Sequence, residues 1–199
     1  MNHLIIFTRY PEPGKTKTRL IPALGAEGAA NLQRKLTEET VAKARELSSV
    51  FPVSVEVRFA GGNLSLMESW LGSNLQYREQ DSGDLGDRMA GAFQTAFNSG
   101  IQRGIIIGID CPGLNGEILR QALEKLEQND LVLGPAEDGG YYLIGLRRLI
   151  PELFRGINWG TAEVREKTVA IAQNLHLAID YLPLLPDIDR PEDLSLLSN

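Results

Sequence analysis

The chain changes its hydrophobic rhythm repeatedly between a strand-like and a helix-like period. Leu4 to Phe7 (LIIF) is an unbroken apolar run, which predicts a short strand buried on both faces. Ala29, Leu32, Leu36, Thr40, Ala44 and Leu47 then recur at three- and four-residue steps, the mark of one helix face. Val53, Val55, Val57 and Phe59 alternate with polar residues as far as Gly61-Gly62, which predicts a second strand. Leu64 to Leu71 suits a short helix, and Leu75 to Arg78 a brief strand. Leu85, Met89, Phe93 and Phe97 step by four along a helix that ends at Gly100. Gly104 to Ile109 (GIIIGI) is the plainest buried strand in the chain. A helix over Asn115 to Gln128 follows, then strands at Leu131 to Leu133 and Tyr141 to Leu146 around a glycine-rich turn. Thr161 to Leu175 reads as a helix and Ile179 to Leu185 as a strand. Pro191 to Leu197 reads as a last short helix with proline in its first turn.

Strands alternating with helices predict an α/β sheet covered on both faces. In such sheets ligands sit outside the carboxyl ends of strands, where the connections diverge. The 199 residues, 43% of them hydrophobic, suffice for one full domain, and no linker, repeat or low-complexity block divides them. A formal charge of −6 argues against bulk nucleic-acid binding, which needs a broad basic surface. It leaves room for a local basic site that takes a small anion. The single cysteine, Cys111, excludes an internal disulfide and a thiolate-rich metal site. His3 and His176 lie far apart in sequence, so zinc sites and Ser-His-Asp chemistry are poorly supplied. The LIIF run is too short for a signal-peptide core or a membrane span, and the expected location is the cytoplasm.

Chemistry-bearing residues collect just after the predicted strands. FTRYPEPGKTKTRL sets Arg9, Lys15, Lys17 and Arg19 around Gly14. It is not a P-loop, because Arg9 stands where the first glycine of that motif belongs. In an extended segment Lys15, Lys17 and Arg19 would point to one side and could hold a di- or triphosphate. The plain alternative is a solvated charged loop. Asp110, at the tip of the GIIIGI strand, could bind Mg²⁺, which takes one or two carboxylates plus phosphate oxygens. Equally, it could simply form a turn before Pro112-Gly113. Cys111 reads as a small buried filler.

In EQDSGDLGDRM, Asp84 and Asp87 read as a helix start, while Gln80 and the Gly83 backbone could face a nucleobase. Asp138-Gly139-Gly140 reads as a hairpin turn, or as a general base flanked by glycines that leave room for a substrate. Asp187 and Asp189 could share one side of an extended segment and complete a metal site with Asp110.

Taken in order, YPEPGKTKTRL, QDSGDLGDRM, IGIDCPGL, LVLGPAEDGGYYLIGL, INWGT and DIDRPEDL resemble a known family. It comprises small bacterial GT-A-like proteins of the nucleotide-diphospho-sugar transferase superfamily, some linked to arsenosugar biosynthesis. They are related to the 2-phospho-lactate guanylyltransferases and, more distantly, to the molybdenum-cofactor guanylyltransferases. The resemblance runs from Phe7 to Leu194. It implies a single domain over residues 1–199, a three-layer α/β/α fold with a mostly parallel, mixed sheet. It also implies that Arg9, Gly14, Lys15, Lys17 and Arg19 serve the nucleotide phosphates, with Gln80 and Gly83 near the base or ribose. Asp110 would hold Mg²⁺ or Mn²⁺. Asp189 matches the place of a second metal ligand, often asparagine in relatives. Asp138, with Asp110, would be catalytic, and Gly139, Gly140 and Trp159 would belong to the acceptor half of the cleft.

The implied reaction is metal-dependent glycosyl transfer from a nucleotide-sugar to a small acceptor. Two alternatives stand beside it: nucleotidyl transfer from a nucleoside triphosphate to a phosphorylated acceptor, and a non-catalytic nucleotide-binding module. Both chemistries develop negative charge on phosphate oxygens, so the cations do not discriminate between them.

Overall fold

In the computed structural model, which describes residues 1–198, the LIIF run lies within β1 (Asn2–Arg9). The loop after β1 closes with a short 3₁₀ turn at Thr18–Leu20 and enters α1 (Ile21–Val50). Next come β2 (Val53–Ala60), α2 (Leu64–Leu71), β3 (Gln76–Glu79) and α3 (Leu85–Asn98). The second half runs β4 (Arg103–Ile107), α4 (Gly116–Lys125), β5 (Leu131–Pro135) and β6 (Tyr141–Leu146). A 3₁₀ turn at Pro151–Phe154 precedes α5 (Val164–Asn174) and β7 (Ile179–Tyr181), and Pro191–Ser198 is again 3₁₀.

The strands form one sheet in the order β3-β2-β1-β4-β6-β5-β7. β6 runs antiparallel to β4 and to β5, while the remaining neighbours are parallel, so the sheet is mixed and mostly parallel. β1 is apolar throughout because both its faces are covered: Leu4 and Ile6 join the core under α1 and α4, while Ile5 joins the core under α3 and α5. This is a three-layer α/β/α architecture, as the alternation of patterns predicts. Among the described residues, no helix is long and apolar enough to cross a membrane.

Several boundaries differ from the sequence expectation for local reasons. α1 starts eight residues before Ala29, and carries Pro22 in its first turn and Gly25 at a kink with φ of 71°. Pattern alone does not place a helix across a glycine and a proline. The expected strand Ile179 to Leu185 stops at Tyr181, since Pro183 has no N–H for the ladder. The chain nevertheless continues beside β5, with Leu182 N–H donating to Leu133 and Leu185 N–H to Pro135. The Asp84 start of α3 is a full capping box with Asp87, a device worth about 1 kcal/mol.

The alternation of β2 does not expose its polar face. Glu56 and Arg58 are buried, with Arg58 only 1% exposed. Arg58 Nε donates to Glu56 Oε1 at 2.5 Å, and His3 Nε2 lies 3.6 Å from Glu56 Oε2. A buried charge of this kind persists only when paired.

Candidate active site

The sheet topology opens a crevice. β1 leads through α1 to β2 on one side, while β4 leads through α4 toward β5 on the other. The two connections diverge from adjacent parallel strands, so a groove forms beyond their carboxyl ends. The basic loop follows β1 there, and the Asp110 loop follows β4.

The basic loop is not extended. Lys15 N–H donates to the Glu12 carbonyl, Gly14 has φ of 78°, and Lys17 itself lies in the left-handed region at φ 43° and ψ 46°. The three cations therefore diverge instead of sharing a side. Lys15 is exposed and pairs with Glu12 at 2.6 Å. Lys17 turns inward: its Nζ donates to Asp110 Oδ1 and to the Ile188 carbonyl, both at 2.8 Å. The Lys17 side chain is 6% exposed, whereas that of Asp110 is 48% exposed and lines the groove. Arg19 pairs with Asp189. Two cation–carboxylate contacts thus tie the basic loop to both segments expected to bear metal ligands. Lys43 Nζ donates to the Pro112 carbonyl and holds the Asp110 loop from behind.

Four adjoining cavities continue the groove in both directions. One of about 250 Å³ is lined by Asp110, Asp138, Asp187, Tyr141, Tyr142 and Trp159, among others. A second, of about 280 Å³, shares Asp138 and Asp187 with it and adds Arg19, Asp189 and Arg190. On the other side of Asp110, Arg9, Gln80 and Arg88 line two further cavities of about 240 and 230 Å³. Arg9, Arg19, Gln80, Asp110, Asp138, Gly140, Trp159 and Asp189 therefore all border one continuous cleft. Lys15, engaged by Glu12, is turned into its own loop.

Two glycines have packing reasons of their own. A Cβ on Gly139, where φ is 91°, would lie 2.2 Å from the Ala162 carbonyl oxygen. Its backbone shape thus serves the turn against Ala162, not space for a substrate. A Cβ on Gly83, where φ is 102°, would meet the Asp87 carboxylate that closes the capping box. Gln80 is a wedge as well as a wall: its Nε2 donates to the Thr8 and Arg58 carbonyls, which aims Oε1 toward Arg88 Nη1 at 3.5 Å. Asp138 accepts from Gly140 N–H at 2.7 Å, the local bond that shapes the β5–β6 turn. The hairpin reading of that turn holds, and the carboxylate that shapes its backbone also borders the cleft.

Asp187, which the sequence offers beside Asp189 as a partner for Asp110, lines both cavities on this side of the cleft. Burial, then the charges of Asp138, Asp193 and Asp110, push its carboxyl up to about 6. Burial, with Asp187 and Asp110 next to it, drives the Cys111 thiol far upward, so it supplies no thiolate nucleophile. Arg88 is a cleft residue that the sequence reading does not single out. Its only sequence signal is a position one turn into α3, which becomes informative once Gln80 is known to face it.

Among the described residues, no three histidine, cysteine or carboxylate side chains converge tightly enough to cage a metal. The donor set instead fits an Mg²⁺ or Mn²⁺ that arrives with phosphates, since such an ion needs only one or two protein carboxylates. Asp110 has a free oxygen for this, and Asp187 and Asp189 stand on the neighbouring segment.

A family model described as an uncharacterized protein conserved in bacteria (DUF2064) matches residues 41–161. Comparison with proteins of curated function gives no match. Among solved structures, a protein of Desulfovibrio desulfuricans G20, provisionally named a nucleotide-diphospho-sugar transferase, shares 35% identity at a TM-score of 0.91. The match covers 98% of this chain and 85% of that one. A 4-diphosphocytidyl-2C-methyl-D-erythritol synthase of Anaerococcus prevotii superposes with a TM-score of 0.64 at 9% identity, covering 100% and 99% of the two chains. A CMP-2-keto-3-deoxy-manno-octonic acid synthetase, solved with CTP, gives 0.58 at 10% identity over 98% and 96%. At such identities the last two speak for the fold alone.

Proposed function

The chain belongs to the bacterial DUF2064 family, whose model spans more than half of it, and on that premise we propose that it is a glycosyltransferase using a nucleotide-sugar. The relative at 35% identity with the same provisional reading supports this. The observation that carries its phosphate end is the buried Lys17 ammonium set against the half-exposed Asp110 carboxylate at the diverging connections of β1 and β4. A cation and a carboxylate side by side at that point suit a metal-bound diphosphate, the leaving group of such a transfer.

In this reading the nucleoside lies toward Arg9, Gln80 and Arg88, and the Gly83 turn borders its base or ribose. The diphosphate lies over Lys17, Arg19 and the Gly14 turn, and the acceptor in the cavity of Asp138, Gly140 and Trp159. The acceptor hydroxyl attacks the anomeric carbon, the bond to the diphosphate breaks, and the hydroxyl proton passes to Asp138. Lys17 and Arg19 hold the charge that develops on the phosphate oxygens. Asp110, with Asp189 or Asp187, would hold Mg²⁺ or Mn²⁺, which would supply Lewis-acid stabilisation of the same charge. Loss of one well-placed group of this sort typically costs about 10²–10³ in rate.

The test is release of free nucleoside diphosphate from a panel of nucleotide-sugars with Mn²⁺. Turnover that disappears in Asp110→Ala supports the reading. Pyrophosphate released from a triphosphate pool, with no turnover of any nucleotide-sugar, replaces it with nucleotidyl transfer.

A further inference from the structure

The cleft is electrically lopsided. On the nucleoside side it presents Arg9 and Arg88. The acceptor cavity is lined by Asp110, Asp138 and Asp187 together with Tyr141, Tyr142 and Trp159, and by no Lys, Arg or His among the described residues. The nearest arginines, Arg19 and Arg190, line the adjoining cavity beyond Asp138 and Asp187, where Arg19 pairs with Asp189. Lys17 and Arg165 are not among the lining residues: Lys17 is held by Asp110 and the Ile188 carbonyl, and Arg165 Nη1 donates to the Ala136 carbonyl at 3.3 Å.

From this asymmetry we infer that the acceptor carries neither phosphate nor carboxylate, and that it is a hydroxyl compound with a neutral or cationic frame. The inference rests on the proposed glycosyl transfer for the word acceptor, but its physical content concerns the cavity alone. In the metal-free cavity an incoming phosphate would lose its water shell facing three carboxylates, with no Lys, Arg or His among the lining residues. Like charges at such range repel strongly in a half-enclosed site. A cationic group would meet the opposite: carboxylates as partners, with three aromatic side chains in the same lining. Hydroxyls find acceptors in the same carboxylates. Both candidate chemistries share the phosphate end of the cleft, so this wall is where they part. A phosphorylated acceptor is best served by a basic wall, and this one is acidic.

The experiment is a ligand ladder on one small frame: aminopropanediol, glycerol, glycerate and glycerol phosphate. Binding to the full chain is followed through the Trp159 indole N–H resonance, distinguished from that of Trp70 with Trp70→Phe. The expected order is amine first, then glycerol, then the two anions, with the amine at least about tenfold tighter than the phosphate. In Asp138→Asn combined with Asp187→Asn that gap should shrink to a few-fold. Three results overturn the inference: a phosphate that binds as tightly as the amine, a ladder in which no member moves the Trp159 signal, or an unchanged gap in the double variant. Nucleoside diphosphate binding is measured separately by thermal stabilisation. Its absence alongside an intact ladder order would remove the glycosyltransferase reading and leave the charge preference of the cavity standing.

Discussion

Lys17 reaches Asp110 across 93 positions of sequence, with 2.8 Å between Nζ and Oδ1, and does so from a left-handed backbone. That conformation costs a residue with a side chain about 1–3 kcal/mol and persists only where its surroundings fix it. Here the Ile188 carbonyl accepts a second bond from the same ammonium, and Ile188 N–H donates to the Asp110 carbonyl at 2.8 Å. Three chain segments are thus locked around one ion pair at the mouth of the cleft.

Asp110→Asn should leave the fold intact, because the side chain is half exposed and an amide oxygen still accepts from Lys17. Metal-dependent nucleotide affinity should fall by about tenfold or more, since a neutral oxygen is a poor ligand for a hard cation. Titration calorimetry with Mn²⁺, beside a melting curve, checks both halves.

The divergence of the basic loop separates two cations that the sequence groups together. Arg19→Ala should weaken binding of nucleoside diphosphates, while Lys15→Ala should change it less than about twofold. Lys15 is spent on an exposed pair with Glu12, and such pairs contribute little. Equal losses for the two variants would return Lys15 to the phosphate site.

Glu56 gives a pH dependence. Burial opposes its charge, but His3 at 3.6 Å and the hydrogen bond from Arg58 outweigh that and hold its carboxyl below the ordinary 4.5. A carboxyl whose value is lowered on folding contributes stability above its unfolded value, and that stability is lost as pH falls through the folded one. Glu56→Gln should therefore destabilise by about 3–5 kcal/mol at pH near 7, because it leaves Arg58 buried without its partner. Denaturant titrations should show the gap narrowing below pH of about 4.

Asp187 has the opposite sign. Its carboxyl is raised on folding, from 3.8 to about 6, by burial and by neighbouring carboxylates. The folded state therefore favours the protonated form, and the penalty for charging it grows as pH rises through about 6. Asp187→Asn should raise the melting temperature at pH near 8 and leave it unchanged at pH near 4. A stabilisation that does not vary with pH would assign the effect to packing.

Legibility followed the range of the forces involved. β1, β2 and β4 were plain in the sequence because burial dictates their apolar pattern residue by residue, and the Asp84 cap because its partner is three residues away. The first eight residues of α1 were hidden by Gly25 and Pro22, which tertiary packing overrides. The burial of Glu56 and Arg58 was illegible, since it depends on His3 in a neighbouring strand. For the site, Asp110, Asp138 and Asp189 stood out as carboxylates after strands. That Lys17 alone of the loop cations turns inward depends on Asp110 and Ile188, which no local pattern reports.

The most direct measurement compares a nucleoside diphosphate with its bare nucleoside, titrated with Mg²⁺ into the wild-type chain and into Lys17→Met. The diphosphate should bind the wild type at least about tenfold more tightly, and the substitution should erase most of that advantage while the nucleoside is unaffected. Equal affinities in the wild type, or an advantage that survives the loss of Lys17, would contradict a diphosphate site at this ion pair.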